Sequence, residues 1–121
     1  MLQGHRIFIA EDEAIVAWDL ADSIREAEGE VVGPVATVKE GLTLLAKESF
    51  HAAILDVQLA DRDVTPLAMI LIERGIVVVF HTGTGVPEAI STRYGDQPIC
   101  RKPIASRHVI RRLAELMRLS P

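Results

Sequence analysis

Apolar runs of strand length alternate with segments of helical period along this 121-residue chain. That alternation constrains the fold more than any other feature. The runs are Ile7-Phe8-Ile9-Ala10, Val31-Val32-Gly33-Pro34-Val35, Ala52-Ala53-Ile54-Leu55 and Ile76-Val77-Val78-Val79-Phe80, with a weak fifth at Ile99-Cys100. Most are apolar throughout, as befits strands covered on both faces. In the first helical segment Val16, Ala17, Leu20, Ala21, Ile24 and Ala27 share a face, and Gly29 is placed to end it in a left-handed conformation. Thr37 and Glu40 stand at capping-box spacing, and Val38, Leu42, Leu45 and Ala46 are expected to point inward. Thr65-Pro66 predicts the N-cap and first residue of a third helix that Gly75 closes. A short fourth runs from Pro87 to about Tyr94. The last begins near Ser106 and buries Val109, Ile110, Leu113, Leu116 and Met117. Five strand–helix units predict one α/β domain over residues 1–121, with a parallel sheet, right-handed crossovers and helices on both faces.

Polar residues follow four of the runs: Glu11-Asp12, Asp56, Thr82-Gly83 and Lys102-Pro103. Open doubly wound sheets bind ligands beyond the carboxyl ends of their strands, so the fold would gather all of these at one edge. A single Asp there is ordinarily a helix cap; so many at the same edge describe a site. Two carboxylates about 4 Å apart repel by roughly 4 kcal/mol at an effective dielectric of about 20. Such a cluster takes up protons or binds a cation. Magnesium favours one or two carboxylates together with phosphate oxygens and water. Lys102 suits a point charge on a phosphoryl oxygen, and Thr82 can donate a hydrogen bond to another. Asp56 is then free to act as a nucleophile, forming an acyl phosphate by in-line attack.

At these residues the chain resembles the receiver domain of bacterial two-component response regulators, over nearly its whole length. The resemblance implies a five-stranded, flavodoxin-like (βα)5 fold with strand order 2-1-3-4-5. It implies a phosphoacceptor, phosphorylated on Asp56 by a histidine kinase or histidine phosphotransfer protein, rather than an enzyme with a separate substrate. Mg²⁺ would be held directly by Asp12 and Asp56, by the backbone carbonyl of Gln58, and by Glu11 through water. Thr82 and Lys102 would hold the phosphoryl oxygens, Thr84 would modulate access of water, and Lys102-Pro103 would be cis. Phe80-His81-Thr82-Gly83-Thr84-Gly85 is similar to a Phe-Ala-Thr-Gly segment in a subgroup of receivers that is often single-domain and linked to general stress or multi-input kinase networks. The chain departs from the wider pattern at Ala60, at Asp63-Val64 and at Ile99, where many receivers carry Pro, Asp-Gly and an aromatic residue. The loop after Asp56 is therefore expected to take another path, and a switch would move the Gly83–Gly85 loop and the short fourth helix.

The remaining features narrow the reading. With 49 % apolar and 25 % charged residues the chain is an ordinary globular one rather than a disordered tail. A net charge of −4 gives no general attraction to nucleic acid, and Arg107, Arg111, Arg112 and Arg118 read as a solvated helix face. A lone Cys100 and the lack of a membrane-length apolar run predict a cytoplasmic protein. His5, His51, His81 and His108 lack metal-ligand spacing and are expected at the surface or flanking strands. Asp61-Arg62-Asp63-Val64-Thr65 fits the Asp-x-Asp-x-Thr motif of haloacid-dehalogenase-type phosphatases, but Asp61 falls five residues beyond the strand end that motif requires. A second rival is a receiver-shaped interaction module that is never phosphorylated. Trp18 points away from the buried stripe of the first helix with Ile15 beside it, which predicts a surface for the phosphodonor partner.

Overall fold

The computed structural model describes residues 1–119. Its elements run β1 (Arg6–Ala10), α1 (Ala14–Glu26), β2 (Glu30–Val35), α2 (Val38–Lys47), β3 (Ala52–Leu55), α3 (Thr65–Glu73), β4 (Val77–Thr82), α4 (Glu88–Tyr94), β5 (Ile99–Arg101) and α5 (Ser106–Leu119). All strand pairs are parallel, in the order β2-β1-β3-β4-β5. The order reverses beside β1, which puts the crevice over the carboxyl ends of β1 and β3.

Strand period two divides the sheet into two cores. Ile7, Ile9, Ala52, Ile54 and Val79 face α1 and α5, where they meet Leu20, Ile24, Val109 and Leu113. Phe8, Ala10, Ala53, Leu55, Val78 and Phe80 face the other way, against Val38, Leu45, Leu67, Leu71 and Ile90 of α2, α3 and α4. Because both faces are covered, the central strands carry no polar side chain until they reach the edge.

Several local expectations are corrected. The left-handed residue after α1 is Glu28 (φ 67°), not Gly29. Its N–H donates to Arg25 O, and that of Gly29 to Ile24 O, closing a Schellman motif one residue earlier than expected. Gly29 serves close packing instead, since a Cβ there would lie 2.9 Å from both Ile24 and Leu2. In α2 the inward residues are Val38, Gly41 and Leu45, while Leu42 and Ala46 are exposed. The stripe is rotated because Gly41 lets Leu67 of α3 come close; a Cβ at 41 would sit 2.7 Å from Leu67 Cδ1. Thr65 is the first residue of α3 rather than its cap, and the Asp63 carboxylate accepts its N–H at 2.7 Å. In α5, Leu116 and Met117 are half-buried. The end of α3 is as expected: Gly75 takes φ 74° and Ile76 N–H donates to Leu71 O. Lys102-Pro103 is cis, and so is Gly33-Pro34, which nothing in the sequence reading anticipated.

Candidate functional site

The sheet ladder continues one residue beyond its strands. Glu11 N–H donates to Val35 O (2.9 Å), Asp56 N–H to Ala10 O (2.8 Å) and Lys102 N–H to Thr82 O (3.0 Å). These bonds fix the backbone of the polar residues at one edge, with the geometry of the sheet behind them.

Glu11, Asp12 and Asp56 each offer an oxygen within 4.8 Å of the other two. Glu11 and Asp56 are buried and Asp12 is exposed. Lys102 Nζ stands 3.1 Å from Glu11 Oε1 and 3.4 Å from Asp56 Oδ2, and bridges the two. The other oxygens are tied to the backbone: Glu13 N–H donates to Glu11 Oε2 (3.1 Å) and Val57 N–H to Asp56 Oδ1 (2.8 Å). Burial, with the adjacent Asp56, pushes the Glu11 carboxyl up to about 7. Burial also works against the Lys102 charge, but its bond to Glu11 and the charges of Glu11 and Asp56 prevail and raise its pKa. An all-oxygen donor set with crowded negative charge fits a hard divalent cation such as Mg²⁺.

Thr82 ends β4 with its hydroxyl oxygen accepting from Thr84 N–H (3.1 Å) and Gly85 N–H (3.4 Å). The Thr84 hydroxyl lies 3.3 Å from it. Gln58, two residues past Asp56, opposes Asp63 in a bridge closed by Val64 N–H to Val57 O and Leu59 N–H to Arg62 O. That bridge leaves the Gln58 carbonyl itself unused. Asp61 is turned away from the site: its two oxygens accept Val38 N–H (2.8 Å) and Lys39 N–H (3.1 Å) at the start of α2, which lowers its pKa. Asp63 is engaged by Thr65 through both its N–H and its hydroxyl. With both carboxylates occupied in capping, the haloacid-dehalogenase reading finds no geometry to support it.

Trp18 and Ile15 project from α1 at 75 % and 79 % exposure. Trp18 borders a groove with Ala21, Asp22, Arg25 and Pro34. His81 corrects the expectation for the histidines, because it is 4 % exposed inside β4. Its Nδ1 is 3.9 Å from Glu11 Oε1, and neither ring nitrogen has a hydrogen-bond partner. Burial, and then the Lys102 charge, lower its pKa. The signal that could have found it was strand alternation: His81 follows Val77 and Val79 on the α1/α5 face, the same side as Ile7, Ile9 and then Glu11.

No family model matches the chain. It is 35 % identical to SdrG from Sphingomonas melonis Fr1, covering 97 % of this chain and 99 % of that one, with a TM-score of 0.78. It is 30 % identical to the response regulator PhyR from Brucella abortus, covering 97 % of this chain and 48 % of that one, with a TM-score of 0.74. Among curated proteins, the transcriptional regulatory protein PdtaR of Mycobacterium tuberculosis is 38 % identical over 58 residues, which are 48 % of this chain and 28 % of that protein. The chain thus matches little more than a quarter of the curated relative's length. Other solved structures with the same topology are response regulator receiver domains, including single-domain ones.

The sheet order and the acid cluster at its carboxyl edge define a doubly wound α/β domain with a candidate cation site at the crevice. The chain belongs to the response regulator receiver domains, the CheY-like family. Receivers bind Mg²⁺ in general, and the cluster of Glu11, Asp12 and Asp56 could hold a metal ion. Among the described residues no helix is long and apolar enough to cross a membrane.

Proposed function

We propose that this chain is a phosphoacceptor, taking a phosphoryl group onto Asp56 from a histidine kinase or histidine phosphotransfer protein. The observation that carries the reading is Lys102 Nζ within 3.1 Å of Glu11 and 3.4 Å of Asp56, two of the three carboxylates that Asp12 completes into a cluster. Asp12, Asp56, the Gln58 carbonyl and, through water, Glu11 would hold Mg²⁺, which supplies positive charge against the phosphoryl oxygens.

An Asp56 carboxylate oxygen attacks phosphorus in line. The new O–P bond forms as the bond to the donor breaks, and the leaving group keeps the electron pair. That group is an imidazole nitrogen from phosphohistidine or a carboxylate oxygen from a small acyl phosphate. Lys102 and the Thr82 hydroxyl stabilise the charge gathering on the transferred oxygens. In the reverse discharge a water oxygen attacks phosphorus, the electron pair returns to the Asp56 carboxylate, and inorganic phosphate leaves. Thr84 flanks the path of that water. Ile15 and Trp18, both exposed on α1, form the partner surface. A single buried Cys100 suits a reducing cytoplasm.

The deciding experiment incubates the chain with acetyl phosphate and Mg²⁺ and weighs it by intact-mass spectrometry. One phosphoryl group is expected on the wild type and none on Asp56→Asn. Equal labelling of the two proteins would overturn the assignment.

A further inference from the structure

We propose that His81 is a positioning residue for this transfer, taking over the hydrogen bond to Glu11 Oε1 that Lys102 gives up when its ammonium turns to the phosphoryl oxygens. The proposal rests on Asp56 being the phosphoacceptor. Each oxygen of the buried Glu11 carboxylate has one protein donor: Glu13 N–H holds Oε2, and Lys102 Nζ holds Oε1. A phosphoryl group on Asp56 brings close to two negative charges beside Lys102, which is already 3.4 Å from Asp56 Oδ2. The flexible lysine stem lets the ammonium follow that charge, leaving Oε1 buried without its donor. An unmatched buried acceptor of this kind opposes the very step that Lys102 assists.

His81 is the group placed to prevent this. Its Nδ1 lies 3.9 Å from the same Oε1, and both ring nitrogens lack partners. With the proton on Nδ1, a shift from 3.9 Å to about 2.9 Å completes the bond. His81 and Lys102 also share a space on the α1/α5 side. A cavity of about 230 Å³ there is lined by His81 and Lys102 together with Val16, Pro103 and Ile104. Ring and ammonium therefore border one space and approach one oxygen.

The test is the rate of acetyl phosphate labelling at saturating Mg²⁺, read against the Mg²⁺ Kd of the unlabelled chain. His81→Leu removes two unpaired nitrogens from the interior and is expected to fold. Its maximal labelling rate should fall about tenfold, with the Mg²⁺ Kd unchanged within about twofold, because Lys102 still holds Glu11 in the resting protein. His81→Asn, whose amide nitrogen overlays Nδ1, should restore the rate. His81→Gln, which reproduces Nε2 instead, should not. Wild-type rates in His81→Leu would overturn the proposal, as would an Asn variant as slow as Leu. A wild-type chain that takes no label refutes the phosphoacceptor reading and this proposal with it, whereas normal wild-type labelling with an indifferent His81→Leu refutes this proposal alone.

Discussion

Lys102 Nζ, beyond the last strand, lies 3.1 Å from Glu11 Oε1, beyond the first. This ion pair joins residues 91 positions apart, and Lys102 Nζ also reaches Asp56 Oδ2 at 3.4 Å. The pair works against the burial that governs how the site answers to pH.

Glu11 titrates near 7 in the folded chain against 4.5 ordinarily, with burial the main cause. Below about 7 the carboxyl holds a proton that an incoming cation must displace, so Mg²⁺ affinity should climb as pH rises from about 6 to about 8. Between 4.5 and 7 the folded state binds more protons than the unfolded one, so metal-free stability should fall as pH rises through that window. Glu11→Gln should flatten both profiles. Isothermal titration and urea unfolding across pH check the two arms, and an unchanged slope in the variant would sink the assignment.

Removing the ammonium tests the transfer step itself. Lys102→Ala should slow acetyl phosphate labelling by about a hundredfold, and Thr82→Ala by about tenfold, since each loses a donor to the developing charge. Intact-mass time courses measure both. Labelling of Lys102→Ala at the wild-type rate would remove Lys102 from the chemistry.

Trp18→Ala should slow transfer from a phosphohistidine protein by about tenfold or more, as loss of an aromatic anchor does at interfaces. Acetyl phosphate, which needs no docking surface, should label the variant normally. Equal slowing with both donors would show that Trp18 supports the fold rather than the partner.

Asp61→Ala should lower the urea-unfolding midpoint, because Val38 and Lys39 N–H lose their acceptor at the start of α2. Asp56 should still be labelled. Loss of labelling at undiminished stability would revive a catalytic role for Asp61.

Glu28→Gly should stabilise the chain by about 0.5–1 kcal/mol, since Glu28 holds a left-handed conformation that glycine adopts freely. Thermal unfolding reads this directly, and a lowered midpoint would contradict it.

The strands, their parallel sense and the edge carrying the polar residues were legible because both sheet faces are buried, so each run is apolar from end to end. Glu11, Asp12, Asp56, Thr82 and Lys102 were legible for the complementary reason: they interrupt those runs. The order of the strands came from family resemblance, not from pattern. The face of α2 was misread because Leu42 and Gly41 are neighbours, and only the approach of Leu67 decides which of them turns inward. Glu28 was missed because Gly29 is the better left-handed residue by intrinsic preference, and tertiary crowding by Leu2 and Ile24 overrode it. His81 was passed over as one histidine of four, although its place in the β4 alternation already pointed it toward Glu11.

The two rims of the crevice are built to different stiffness. On the β3 side, Ala60 N–H is fastened to Ala36 O and the Asp61 carboxylate to two amides of α2, so only Val57, Gln58 and Leu59 span the gap between the acceptor and its moorings. Across from it, Gly83 has open space where a Cβ would go, and Gly85 takes φ 109°. On the proposed phosphoacceptor reading, a rearrangement started at Asp56 is therefore expected at Gly83–Val86 and α4 rather than at α2.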